Sequence, residues 1–333
     1  MGKKMLIGLV CTLLGITAIC HAVLVNGYCY LENQTNHEGT KVLFQADSPG
    51  AVTDSTYTDL TGHYQIDLVA GTYDVAFIHE GFVNGALYDQ LLFSPTTLPD
   101  ISLIEIPPGV YISGALSGVL EDTTYLVESS ISVASGDTLI IEPGAIFYFL
   151  GGSTFTINGY LYAAGAESDS IKFMPFPEIT LWGGINFNGA SDQCLLEFCL
   201  ITRSNSSGIY CINSNPTINN CTVSENSASY GGGIYCAYPS NPSINYCTIN
   251  GNSASNGGGI YCANFCSPPI TYCTISGNSA SYGGGIYCES VCSSIITHCT
   301  INGNQANYSG GGIHCYNSSN PTINHCNISE NSA

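Results

Sequence analysis

Positive charge is what this chain of 333 residues has least of. Five Lys and Arg stand against 24 Asp and Glu, a formal net charge of −19, and only 9% of the residues are charged at all. Lys3 and Lys4 lie at the very start, so Lys41, Lys172 and Arg203 serve the remainder. Such a chain has little with which to neutralise phosphates, which excludes nucleic acid and anionic membranes as partners. It also limits any enzyme that must grip an anionic substrate. Beyond the first 22 residues no apolar run is long enough to span a bilayer. The second half has no helical period. The HExxH, G-x-S-x-G and P-loop signatures are all absent.

The first 22 residues, MGKKMLIGLVCTLLGITAICHA, have two lysines, a long apolar run and a small residue at the end. That is the layout of a secretory signal peptide cut after Ala22, which leaves an exported chain that does not span the membrane. Outside the cell, the excess of acid serves solubility.

What abounds is glycine (38), cysteine (17) and tyrosine (22), and much of it recurs at a fixed interval. NSASYGGGIYC runs from Asn226 to Cys236, NSASNGGGIYC from Asn252 to Cys262 and NSASYGGGIYC from Asn278 to Cys288. Two cysteine series step by 25 to 27 residues: Cys211, Cys236, Cys262, Cys288, Cys315, and Cys221, Cys247, Cys273, Cys299, Cys326. Isoleucines keep pace in I-x-C (Ile209, Ile234, Ile260, Ile286, Ile313) and in C-x-I/V (Val223, Ile249, Ile275, Ile301, Ile328). Ile218, Ile244, Ile270, Ile296 and Ile323 form a third series. Alternation within these short blocks is the period of a strand with one face buried. Between the blocks lie Gly, Asn, Ser and Pro, the residues of turns.

A unit of short strands and turns cannot bury its own apolar face, but stacked on copies of itself it can. Like residues then stand above like, about 4.8 Å apart. Asn226, Asn252, Asn278, Asn304 and Asn331 become one structural column, each amide able both to donate and to accept. The glycine triplets become a tight corner. The fold class is therefore all-β, a solenoid of parallel β-coils. A leucine-rich horseshoe lacks its leucines here, and a propeller needs a longer repeat.

The GGGIYC and CTIxxN blocks resemble the right-handed parallel β-helix repeats of the pectin-lyase-like superfamily. They are also similar to repeats of bacterial polymorphic outer-membrane proteins. The resemblance covers roughly residues 117–333 and implies right-handed coiling. It further implies a secreted or outer cell-surface bacterial protein with a structural, adhesive or binding role.

Residues 23–106 read differently. GHYQIDLVAGTYDVAF has two alternating strands around Gly71, with Tyr64, Ile66 and Leu68 on one face and Tyr73, Val75 and Phe77 on another. A small β-sandwich fits. The stretch is similar to the carboxypeptidase-regulatory-like and prealbumin-like domains, which implies a spacer. The expected order is a signal peptide (1–22), the sandwich (23–106), a linker (107–116) stiffened by Pro107-Pro108, and the solenoid (117–333). The sequence stops at SENSA within a repeat unit, so a solenoid truncated at its C-terminal end is expected.

The superfamily includes enzymes that cut polysaccharides, so carboxylates near a cation are the feature to seek. Arg203 has only Asp192 and Glu197 nearby in sequence, and the polar columns of the repeats are Asn, Ser and Thr. A catalytic site is accordingly not assigned, and no metal site either. Calcium at Asp169, Asp192 and Glu197 is the one cofactor reading retained. His298 and His325 follow Tyr246 and Tyr272 in one column and read as an exposed aromatic ladder; a metal there is the lesser reading. Most cysteines read as core thiols. Cys266 and Cys292, at matching positions in successive coils, are the candidates for an inter-coil disulfide. A zinc site from Cys262, Cys266, Cys288 and Cys292 is disfavoured by the CxxxC spacing and the extracellular setting.

What remains is a surface. Tyr210, Tyr235, Tyr261 and Tyr287 form one outward ladder, continued by His314; Tyr246 and Tyr272 form another. Tyrosine offers an apolar ring with a polar tip, which suits an extracellular glycan or a surface protein. The expected function is non-catalytic. The alternative is a carbohydrate-active enzyme, either lyase or hydrolase, or a polysaccharide-binding module.

Overall fold

The computed structural model describes residues 22–47, 51–176 and 182–333. The signal-peptide reading of 1–22 lies, but for Ala22, outside them. The chain divides into two compact units, Met1–Pro108 and Gly109–Ala333.

The first unit is a small β-sandwich. One sheet is built on β1 (Ala22–Leu31), which pairs antiparallel with β4 (His63–Val69) and parallel with β7 (Thr96–Thr97) and β8 (Ile101–Leu103). The other has the order β3 (Asp54–Tyr57), β2 (Lys41–Ala46), β5 (Gly71–Ile78), β6 (Gly85–Leu92). The two strands read around Gly71 therefore belong to opposite sheets, and the chain crosses between layers at Val69–Gly71. Their alternation places Tyr64 and Leu68 from one sheet, and Tyr73, Val75 and Phe77 from the other, in one apolar core with Val25 and Phe44.

The second unit is a right-handed parallel β-helix. It begins earlier than residue 117. β9 (Val110–Ala115), inside the expected linker, pairs in parallel with β11 (Thr124–Val133) from Val110↔Tyr125 to Ala115↔Ser132. Pro107 and Pro108 stiffen only the approach to this strand; an edge strand can follow them because β9 needs just one pairing neighbour. β10 (Gly118–Leu120) opens a second face, a parallel sheet of nine strands that ends at Thr322–Asn324. β11 is long enough to pair with both Ile146–Phe149 and Phe155–Ile157, and so feeds two further stacks.

The columns inferred from the repeat are vertical files. Ile185, Ile209, Ile234, Ile260, Ile286 and Ile313 pair in register, as do Phe187, Cys211, Cys236, Cys262, Cys288 and Cys315. The second face stacks Leu196 to Ile323, and the third stacks Ile201 to Ile328. Stacked rings fill the broader early coils: Tyr125, Phe147 and Phe173 at 5.0 and 4.9 Å, and Phe149 on Trp182 at 4.3 Å.

The asparagine column is buried and fully bonded. Asn226, Asn252, Asn278 and Asn304 are at most 1% exposed. From Asn252 onward each Oδ1 accepts two bonds from the preceding asparagine, for example Asn252 N–H and Nδ2–H to Asn278 Oδ1 at 2.9 and 3.0 Å, while Asn226 Oδ1 accepts from Ser204 N–H at 2.9 Å. Each Nδ2 also donates to a strand carbonyl, as Asn278 does to Ile249 at 2.9 Å. A buried amide would otherwise be costly; here no donor or acceptor is left over.

The glycine corner is tight for two reasons. Gly231, Gly257, Gly283 and Gly310 have φ between 54° and 69°. Behind each of them the coils touch: a Cβ on Gly258 would lie 2.5 Å from Ser279 O and 2.6 Å from Gly284 O. The glycine before the buried asparagine is different. Gly303 has φ 62° but open space around it.

Two stability predictions follow from these contacts. Asn278→Ala strands Asn252 N–H and the Ile249 carbonyl, and should cost about 3 kcal/mol in urea denaturation. A loss near zero would mean the column is not bonded in this way. Gly258→Ala should destabilise by more than ~3 kcal/mol, whereas Gly303→Ala should cost only ~1–2 kcal/mol for its backbone angle. Equal losses would contradict the close approach of the coils.

Candidate functional site

Two files of aromatic rings run along the β-helix, and the backbone beneath decides how much of each is offered to solvent. The first stands on a strand. Tyr210, Tyr235, Tyr261 and Tyr287 stack at 4.9, 5.0 and 5.1 Å, with His314 4.8 Å further on. The sequence reading turned this ladder to solvent. The structure corrects that for its middle, where Tyr261 is 4% and Tyr287 6% exposed. The reason is a fourth, short parallel sheet, Ser227–Tyr230 to Gln305–Ser309, beside the ladder. From its first strand Tyr230 leans over Tyr235 and Tyr261 at 6.0 and 5.5 Å. Tyr261 Oη donates to the Glu289 carboxylate. Burial first, and then this carboxylate, push the Tyr261 hydroxyl far above its ordinary range. Burial likewise pushes Tyr235 and Tyr287 up to about 12. The ladder is neutral at any physiological pH.

The second file stands on a turn. Tyr246 and Tyr272 stack at 4.9 Å with 3° between ring planes, His298 follows at 4.7 Å and His325 at 4.9 Å. Tyr246 is 56% and Tyr272 49% exposed. All four residues have φ of 53° or 54°. This left-handed position favours Gly, Asn or Asp, and bulky side chains there are uncommon. Local backbone preference therefore does not account for the rings.

Asp169, Asp192 and Glu197 do not gather. Glu197 Oε1 accepts from Asn219 Nδ2 at 2.6 Å, and Asp192 Oδ1 from Asn215 Nδ2 at 2.8 Å. Asp169 is exposed at an isolated bridge to Ala166. Among the described residues no group of three or more His, Cys, Asp and Glu could hold a metal ion. This overturns the calcium reading of Asp169, Asp192 and Glu197: Asp192 and Glu197 each hold an asparagine amide, and the three form no ligand cluster. The parallel stacking of His298 and His325 makes them rungs, not a chelating pair. Arg203 is exposed at φ 55° and donates to Pro175 O at 3.3 Å, away from any assembled carboxylate pair. Among the described residues no helix is long and apolar enough to cross a membrane.

Cys266 and Cys292 are free, buried thiols. The expected bridge between them is absent because both belong to a corner column the sequence reading missed. In it, backbone N–H groups bond to the side chain on the next coil: Ser214 to Ser240 Oγ and Ser240 to Cys266 Sγ, both at 3.3 Å, and Cys292 to Ser319 Oγ at 3.1 Å. Cys292 Sγ in turn donates to Cys262 O at 3.2 Å. The recurrence of Ser or Cys at this one position was the signal for it. The second cysteine series has an equivalent role beside the ring-bearing turn, where Cys247 Sγ donates to Asn245 O at 3.2 Å. Burial pushes Cys266 up to about 11; beside Cys247, and with burial adding to it, Cys273 rises to about 12. These thiols are structural and inert.

Comparison with known proteins bears mainly on the second unit. The family described as "Right handed beta helix region" matches residues 123–268 and 229–333. No curated protein matches the chain. Among solved structures, an N-terminal interface mutant of a type II cohesin–X-dockerin complex from Acetivibrio cellulolyticus is 19% identical, with a TM-score of 0.21 over 25% of this chain and 58% of that one. A putative carbohydrate binding protein from Bacteroides uniformis is 22% identical, with a TM-score of 0.20 over 25% of this chain and 41% of that one. The chain thus spans little more than half of the first structure and less than half of the second. Likeness of this size carries no argument about ligand or activity.

The thiol chemistry is open to test. In the native protein at pH 8, a maleimide should label Cys315, which is exposed, before Cys326, which is half-buried, and leave the other cysteines of the two series unmodified until denaturant is added. Prompt labelling of Cys236 or Cys262 would contradict the buried columns.

Proposed function

Since the chain belongs to the right handed beta helix family, we propose that it is an exported, non-catalytic protein that binds an extracellular glycan or a surface protein along its aromatic turn ladder. The observation that carries this reading is the file Tyr246, Tyr272, His298, His325: four exposed rings, stacked with nearly parallel planes, at a backbone position that disfavours them. The file offers ring edges with polar tips at a constant pitch of 4.7–4.9 Å, which complements an extended polymer. The Tyr210–Tyr287 ladder contributes through its more open end, Tyr210 and Tyr235. The signal-like start, the acidic composition and the repeat resemblance to the pectin-lyase-like superfamily and to polymorphic outer-membrane proteins support a place outside a bacterial cell. In this reading residues 1–22 are removed, and the sandwich acts as a carboxypeptidase-regulatory-like spacer.

Polysaccharide affinity, measured by titration calorimetry across a panel of soluble extracellular glycans, tests the proposal. Each ring is worth ~1 kcal/mol, so a Tyr272→Ala, His298→Ala double variant with an unchanged circular dichroism spectrum should bind roughly tenfold or more weakly. Unaltered affinity would refute the ladder as the binding face. Cleavage of pectin or alginate, dependent on calcium and abolished by Arg203→Ala, would instead support the enzyme reading.

A further inference from the structure

The turn ladder has a missing rung. The left-handed position is held in successive coils by Phe198, Asn220, Tyr246, Tyr272, His298 and His325, with φ between 46° and 54°. The backbone of this file is unbroken: Phe198 N–H donates to Asn219 O, Asn220 N–H to Asn245 O and Tyr246 N–H to Thr271 O, at 3.0–3.1 Å. Five of the six residues carry a ring, whereas Asn220 carries a short amide. Two coils of parallel sheet span ~9.6 Å, so a ring inserted at the level of Asn220 would lie ~4.8 Å from each neighbour. That matches the 4.7–4.9 Å pitch at which the next four rings stack. The space is present. A cavity of about 360 Å³ is lined by Phe198, Asn220 and Tyr246 together with Glu167, Ser170 and Thr222.

We propose that this slot is a subsite for one neutral hexopyranose unit with equatorial hydroxyls, held between Phe198 and Tyr246. The inference rests on the glycan reading above and names where a single sugar ring is recognised. A pyranose of this kind has two C–H-rich faces for the flanking rings, and its hydroxyls project in the ring plane. There the Glu167 carboxylate, the Asn220 amide and the Ser170 and Thr222 hydroxyls offer acceptors and donors. A plain aromatic ring would fit the spacing but leave these polar groups without partners, which a site discriminates against strongly. The lining holds a carboxylate and no cation; Lys172, which pairs in register with Leu200, is not part of it. A uronic acid is disfavoured accordingly.

Cellobiose, too short to cover the ladder, is the probe, and saturation-transfer NMR on the full chain is the readout. Asn220→Tyr fills the slot with the side chain that the same backbone position carries in the next two coils, so the variant should fold. The wild type should give a cellobiose signal that Asn220→Tyr abolishes, that Glu167→Gln weakens several-fold, and that the Tyr272→Ala, His298→Ala pair leaves in place. No signal from the wild type, or a signal indifferent to Asn220→Tyr, overturns the slot. If polysaccharide binding then persists and falls only in the Tyr272, His298 double variant, the ladder reading stands without the subsite. Binding of p-cresol in place of cellobiose overturns the sugar assignment.

Discussion

Coil resting on coil is the contact on which everything else in the β-helix depends. A single coil has an inward row of isoleucine and cysteine with nothing of its own to cover it; only the coils above and below remove that row from water. Stacking at strand spacing is permissive about which apolar residue fills a column, but the buried asparagines are not. An amide satisfied by the amide above and a strand carbonyl fits one register only. A slip of one residue would set each asparagine beside a residue flanking the next asparagine and break the isoleucine file as well. The asparagine column thus contributes specificity of alignment along with stability.

Exact vertical alignment has a chemical consequence, because any side chain becomes a row. Inside, rows of thiols and hydroxyls cap the carbonyls and N–H groups of the corners and are chemically quiet. Outside, rows of rings form. The two ring files differ in what surrounds them: the strand-borne one is half covered by the sheet that begins at Ser227, while the turn-borne one projects from left-handed residues between two strands and stays exposed. Placing tyrosine and histidine at such a turn costs something locally, and a surface that binds is a reason to bear the cost. The interruption at Asn220, where the rings lapse for one coil, is informative for the same reason.

Much of this was legible in the residues themselves. A period of 25 to 27 residues, two-residue alternation within blocks of three to five, and asparagine and glycine at fixed offsets could be satisfied together only by stacked coils. Three features were not legible, each because it depends on something non-local. Alternation distinguishes inward from outward on a strand, but cannot reveal that Tyr230 folds over Tyr261. Residues 110–115 look like a spacer after two prolines, yet the strand there is defined by its partner in β11. The serine and cysteine corner was obscured by its mixed composition: Cys266 and Cys292 drew attention as a pair of sulfurs when the common property of the column is a small polar group that accepts an N–H bond. The calcium reading failed for a related reason, since Asp192 and Glu197, close in sequence, are each bonded to an asparagine amide of the next coil.

The central claim is that the buried asparagine amides are bonded from coil to coil. Hydrogen exchange of the side-chain NH2 groups measures it directly. In the intact protein, the Nδ2 protons of Asn252, Asn278 and Asn304 should exchange as slowly as the backbone amides of the adjoining strands, such as those of Ile249 and Ile275. Exchange of these side-chain protons at the rate of an exposed asparagine would contradict the account.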